Sequence, residues 1–248
     1  MWRFLDAGVY SGAMNMAIDE SLALQVKAGE CPPTLRLYGW SPHAISIGRN
    51  QSLSDFDLEK LSGDGIDIVR RPTGGRAILH SNEITYAAVL PTRGSTLRSI
   101  YHRINESLLA GLRLLGLEAE LTIGSSDFRS LYAQPTSLPC FSLSARSEIH
   151  VGGKKLIGSA QRRFGTSVLQ HGSFLLGSDH KNIINYISSS SSQLRKTLID
   201  RLAERTTDAA TVLRRTVTFD EAADCLRRGF EATSLVSRSM DEASLIES

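Results

Sequence analysis

Cysteine is scarce in this chain of 248 residues: Cys31, Cys140 and Cys225 are too few and too scattered for a disulfide framework. No CxxC pair or Cys/His spacing points to zinc, so a reducing compartment is expected and no metal site. Long apolar runs are missing as well. No stretch approaches the roughly 18 consecutive apolar residues of a membrane span. Met1 to Tyr10 carries Arg3 and Asp6 where a signal peptide would be apolar. The expected location is the cytoplasm, with no membrane association. Excess charge is lacking too. A formal net charge of +2 gives too weak a field to gather nucleic acid without a local basic stripe. Arg70, Arg71 and Arg76 form a short basic cluster, suited to a small or local anion rather than a duplex. HExxH, GxSxG, GxGxxG and Walker patterns are all absent. Zincin, serine-hydrolase, dinucleotide and P-loop readings therefore have no sequence support.

What is present is a folding composition: 41% hydrophobic and 22% charged residues are enough for a sizeable core. Trp2 to Leu5 reads as a short strand. Ser11 caps a helix with Met14, Ala17, Ile18, Ser21, Leu22 and Leu24 on its apolar face and Asn15, Asp19 and Glu20 on its polar side. Thr34 to Tyr38 and Ala44 to Ile47 are strands about a Ser41-Pro42 turn. Ile66 to Arg71 and Ala77 to His80 flank Pro72-Thr73-Gly74-Gly75, which predicts a hairpin or a tight strand connection. Glu83 to Leu90 is a strand, and Ser99 to Leu115 places Ile100, Ile104, Leu108, Leu112 and Leu115 at helical spacing. A long irregular stretch from Gly124 to Cys140 reads as a functional loop. Gly152-Gly153 joins Glu148–Val151 to Lys154–Ile157 as a hairpin, and Val168 to Leu176 is a further strand. Thr218 and Glu221 form a capping box for a helix carrying Ala222, Leu226 and Phe230, with a fraying tail from Ser234. Residues 1–187 are expected to be the catalytic part, and 188–248 a Ser-rich linker and helical segment.

Three places can carry chemistry. In Arg70 to His80, glycines let backbone N–H groups approach a ligand while arginines add forked donors; a hairpin turn with solvated arginines fits the same residues. Cys140, at the end of the long loop, is either a small buried hydrophobe or a thiolate nucleophile favoured by nearby positive charge. Lys154 and Lys155 point to opposite faces of a strand, so one of them at most enters a site, beside the small residues Gly158, Ser159 and Ala160. His80, His150 and His171 read as core or surface histidines, and His171 has no carboxylate partner at an interpretable sequence distance.

Together Leu35 to Trp40, Ile45 to Gln51, Arg70 to His80, Lys155 with Gly158-Ser159-Ala160, and Leu169 to Gly172 resemble the lipoate-protein ligase and octanoyltransferase family. The resemblance implies an α/β (α+β) domain with a mixed, largely antiparallel curved sheet packed with helices, the fold shared with biotin ligases. It also implies an apolar acyl tunnel, with Arg70, Arg71, Gly74, Gly75, Arg76, Ala77, Ile78, His80, Gly158, Ser159 and Ala160 binding substrate, and with Cys140 and Lys155 catalytic. Cys140 in a Pro-Cys-Phe loop, and Arg76 where ligases commonly carry a third glycine, favour transfer over ligation. The implied donor is acyl carrier protein and the acceptor a lipoyl domain or glycine cleavage H protein, with no cofactor. The alternatives are an ATP- and magnesium-dependent lipoate ligase and a non-catalytic acyl or carrier-protein binding module.

Overall fold

The computed structural model describes residues 2–123, 147–188 and 191–246. Among the described residues ten strands follow in chain order as β1 (Arg3–Tyr10), β2 (Thr34–Trp40), β3 (Ala44–Ile47), β4 (Asp67–Arg70), β5 (Ile78–His80), β6 (Glu83–Pro91), β7 (Glu120–Ile123), β8 (Ser147–Val151), β9 (Lys154–Phe164) and β10 (Ser167–Leu175). The helices are α1 (Gly12–Ala28), α2 (Leu58–Gly63), α3 (Leu97–Leu114), α4 (Ser192–Arg205), α5 (Ala209–Leu213) and α6 (Phe219–Ile246). Seven strands make a large sheet in the order β1-β2-β6-β10-β9-β8-β7, and β4-β3-β5 make a small one. The β1–β2 and β3–β4 pairs are parallel, and the other ladders are antiparallel. The mixed, mainly antiparallel sheet packed with helices is the architecture anticipated from the sequence.

Local chemistry explains most boundaries. The Ser11 side chain accepts from the Met14 N–H, and Gly29, at φ 79°, ends α1 in the left-handed region. Thr96 caps α3 in the same way through Ser99 N. Gly152 and Gly153 both have positive φ, 55° and 74°, as a two-residue hairpin with matching twist requires. Strand β1 runs on to Tyr10, well beyond the short strand read from the sequence, because its parallel register with β2 continues past an irregularity between Asp6 and Val9.

Each face of the large sheet has its own core. On one face Ile100, Ile104, Leu108 and Leu112 of α3, with Ala222, Leu226 and Phe230 of α6, pack on Ile84, Tyr86, Ala88 and Phe174. On the other, α1 packs against Tyr38, Trp40, Ala87 and Leu169, and the small sheet packs with α4 and Leu175. The α3–α6 crossing is backbone-close: a Cβ on Gly229 would lie 2.3 Å from Gly111 N. The last helix therefore belongs to the main core. Its backbone continues to Ile246, where sequence had predicted fraying from Ser234.

Two further expectations are corrected. The face of α1 that packs inward carries Asn15, Met16, Asp19, Leu22, Ala23 and Val26, whereas Met14 and Leu24 are half exposed. Polar Asn15 and Asp19 are inside because they satisfy buried partners, which a hydrophobic periodicity does not register. Strands β4 and β5 do not form a hairpin. Strand β3 lies between them, so the Arg71–Arg76 segment arches across the end of β3.

Candidate active site

The arch is shaped from within and seated from below. Arg71, 6% exposed, donates to the Gly74 and Arg76 carbonyls of the arch and to Ser46 beneath it. Arg70 donates to the carbonyls of Gly48, Arg49 and Gln51. A Cβ on Gly48 would sit 1.9 Å from the Gly75 carbonyl oxygen, so only glycine lets the arch lie this low. Both arginines thus hold loop backbone, while Gly74 and Gly75 stay exposed at the crest.

Beneath the arch lies one face of β9 and β10. Arg162 on β9 donates to the Pro72 carbonyl, and Thr73 Oγ1 lies 2.6 Å from His171 Nε2 on β10. One pair of residues along, Ser173 Oγ lies 3.3 Å from His80 Nδ1. His80 stacks on Trp40 with ring centroids 3.9 Å apart, and its nitrogens lie 2.7 Å from Glu83 and from Ser46. A carboxylate only accepts, so His80 Nδ1–H donates to Glu83, and Nε2 meets the Ser46 hydroxyl. Opposite His171 and Ser173 stand Ala160 and Gly158, a floor with almost no side-chain bulk. Ser159, between them, points to the other face, where its hydroxyl meets Tyr86 at 2.6 Å. Ala77 and Ile78 are buried in the small-sheet core.

Lys155 reaches the same face through a bulge. Opposite β8, Ile149 pairs with Ile157 but His150 pairs with Lys155, which leaves Leu156 as an extra residue. Leu156 and Ile157 both enter the α3-side core, and Lys155 turns away from it to donate to Glu148. Lys155 and Glu148 are each 2% exposed, while Lys154 is exposed and donates to the Ala203 carbonyl. Beside this pair, burial pushes the His150 pKa down, with the Glu148 charge working against the shift. His150 therefore stays neutral there at neutral pH. The two lysines do face opposite ways.

Behind the arch is a polar network that the sequence did not reveal. His171 Nδ1 lies 3.0 Å from Asp19 Oδ2, so the carboxylate missing from its sequence neighbourhood comes from α1. Arg36, fully buried, donates to Asp19 at 2.8 Å, and the Tyr38 hydroxyl donates to it at 2.9 Å. Burial and then the Asp19 charge raise the Tyr38 pKa well above its ordinary value, which keeps it a donor. The signal for Asp19 was an acid on the same helix face as Asn15, turned toward a strand that carries a lone arginine. Cys140 lies outside the described residues, whereas Cys225 is buried in α6. Among the described residues no group of three His, Cys, Asp or Glu could hold a metal ion, and no helix is long and apolar enough to cross a membrane.

A buried, paired ammonium therefore shares one sheet face with a glycine arch and a floor of small residues. The sequence profile of the lipoyl protein ligase A/B catalytic domain matches residues 11–231, and the chain belongs to that family. It is an acyltransferase. It is similar to the octanoyltransferase LipM of Kyrpidia tusciae, 39% identical over 92% of this chain and 85% of that protein. The LipM of Bacillus subtilis is 34% identical over 93% and 85%. Among solved structures, protein Ta0514 of T. acidophilum, solved with bound lipoic acid, superposes with a TM-score of 0.73 at 24% identity, covering 93% of this chain and 85% of that one. That likeness establishes the shared fold.

Proposed function

We propose that this acyltransferase moves an octanoyl group from acyl carrier protein to a lysine of a lipoyl domain or glycine cleavage H protein, through a thioester on Cys140. The observation that carries the reading is the 39% identity, over 92% of the chain, to a protein named as an octanoyltransferase. In the first half-reaction the Cys140 thiolate attacks the donor thioester carbonyl. A new C–S bond forms, the donor C–S bond breaks, and the carrier leaves as a thiol after taking up a proton. In the second half, the neutral acceptor amine attacks the acyl-enzyme carbonyl: a C–N bond forms, the C–S bond breaks, the nitrogen gives up a proton to solvent, and Cys140 leaves as thiolate. Lys155 and the N–H groups of the arch stabilise the oxyanion in both halves. The acyl chain lies between the arch and the Gly158–Ala160 floor. No step needs ATP or a metal, and the reaction belongs in the reducing environment of the cytoplasm.

The test is intact mass spectrometry of the protein incubated with octanoyl-acyl carrier protein alone. One octanoyl adduct should form, and Cys140→Ser should abolish it. An adduct that survives Cys140→Ser, or pyrophosphate release from lipoate, ATP and magnesium, would overturn the proposal.

A further inference from the structure

The arch keeps its shape and its seat by different means. Its shape comes from Arg71, whose guanidinium bonds the Gly74 and Arg76 carbonyls from inside. On the small-sheet side it is joined to the Gly48–Gln51 turn, where the Arg49 N–H donates to the Thr73 carbonyl. Its seat on the large sheet comes from Arg162, which donates to the Pro72 carbonyl, and from the Thr73 hydroxyl on His171. A segment built this way can move as a preformed unit when its seat is released.

The Thr73 contact is the end of a buried chain drawn from the arch, β10, α1 and β2. Thr73 is 1% exposed, His171 4%, and Asp19 and Arg36 are each 0%. A carboxylate only accepts, so His171 Nδ1–H donates to Asp19, which leaves Nε2 to meet the Thr73 hydroxyl. Asp19 is in turn pinned from behind by Arg36 and the Tyr38 hydroxyl. The imidazole cannot turn without losing its carboxylate, and the arch cannot lift without losing its imidazole.

We propose that Asp19, His171 and Thr73 form a latch that sets the closed height of the Arg71–Arg76 arch over the Gly158–Ala160 floor. His171 is then a positioning residue for the acyl chain, which rests on the acyl-transfer reading of the same site. The latch acts on how tightly the chain is held rather than on the bond-making steps, because Thr73 and His171 bond to each other.

The experiment compares Thr73→Val, which keeps the shape and removes the hydroxyl, with Thr73→Ser, which keeps the hydroxyl. Hydrogen–deuterium exchange of the peptide spanning Arg71–Arg76 is read together with KM and kcat for the octanoyl donor. Loss of one hydrogen bond corresponds to about a fivefold change. Thr73→Val should speed exchange of the arch amides about fivefold and raise KM by a similar factor, with kcat changed far less. Thr73→Ser should recover most of the protection. Unchanged arch exchange in Thr73→Val, or a fall in kcat with KM constant, overturns the latch. Should Thr73→Val not fold, Thr73→Ala against Thr73→Ser makes the same comparison. Failure of the wild-type protein to transfer octanoate would count against the proposed function, while the exchange result would still decide the latch.

Discussion

Lys155 donates to Glu148 across neighbouring strands where neither meets water, their side chains being 3% and 2% exposed. Buried pairs of this kind cost more to break from one side than they contribute whole. Glu148→Ala should lower unfolding stability by about 3 kcal/mol, measured by urea denaturation. Glu148→Gln keeps an acceptor and should be milder in stability. If Lys155 serves the oxyanion as proposed, the substitution should still lower kcat about tenfold by loosening the ammonium. A Glu148→Gln enzyme with wild-type kcat would remove Lys155 orientation from the mechanism.

Gly48 lies under the crest of the arch, with 1.9 Å between an added Cβ and the Gly75 oxygen. Backbone cannot yield cheaply to such a contact. Gly48→Ala should lift the arch and raise KM for the acyl donor about tenfold or more, with circular dichroism unchanged in shape. A normal KM would count against an acyl chain held beneath the arch.

Gly229 meets Gly111 at the crossing of α6 and α3. A methyl group at Gly229 would have to push two helix backbones apart. Gly229→Ala should therefore destabilise by about 2 kcal/mol despite its better helix propensity. Thermal unfolding would show the sign directly, since propensity alone predicts stabilisation.

Burial lowers the His180 pKa from 6.5 to about 4, with Lys181 adding to the shift. Its ring lies 3.0 Å from Thr206, next to the Thr207 N–H that donates to the Lys155 carbonyl. The unfolded chain takes up this proton below about pH 6.5 and the folded chain only near pH 4. Stability from this group is complete above pH 6.5 and is lost as pH falls toward 4, by about 3 kcal/mol in all. His180→Gln should flatten that part of the stability profile between pH 4 and 6.5.

Most strands and the α3 helix were legible because each writes a local pattern: alternation, period 3.6, or a glycine pair at a turn. The lysine hairpin and the Gly-rich segment could be located for the same reason. The partners of those residues could not. Asp19 and His171 are 152 residues apart in sequence, and their pairing depends on α1 presenting acids to the core. That arrangement inverts the amphipathic rule used to orient the helix. Nor could the connection across β3 be read, since Pro72 to Gly75 has the composition of a hairpin turn whether or not its flanking strands pair. Strand β7 was missed because it is four residues long and directly precedes an irregular stretch.

The extra residue at Leu156 makes the orientation of Lys155 a matter of counting. Were β9 to alternate without that bulge at its present length, Lys155 would fall on the same face as Ile157 and its ammonium would enter the hydrocarbon beneath α3. The aim of the lysine therefore rests on an irregularity of the backbone and not on the alternation of the strand.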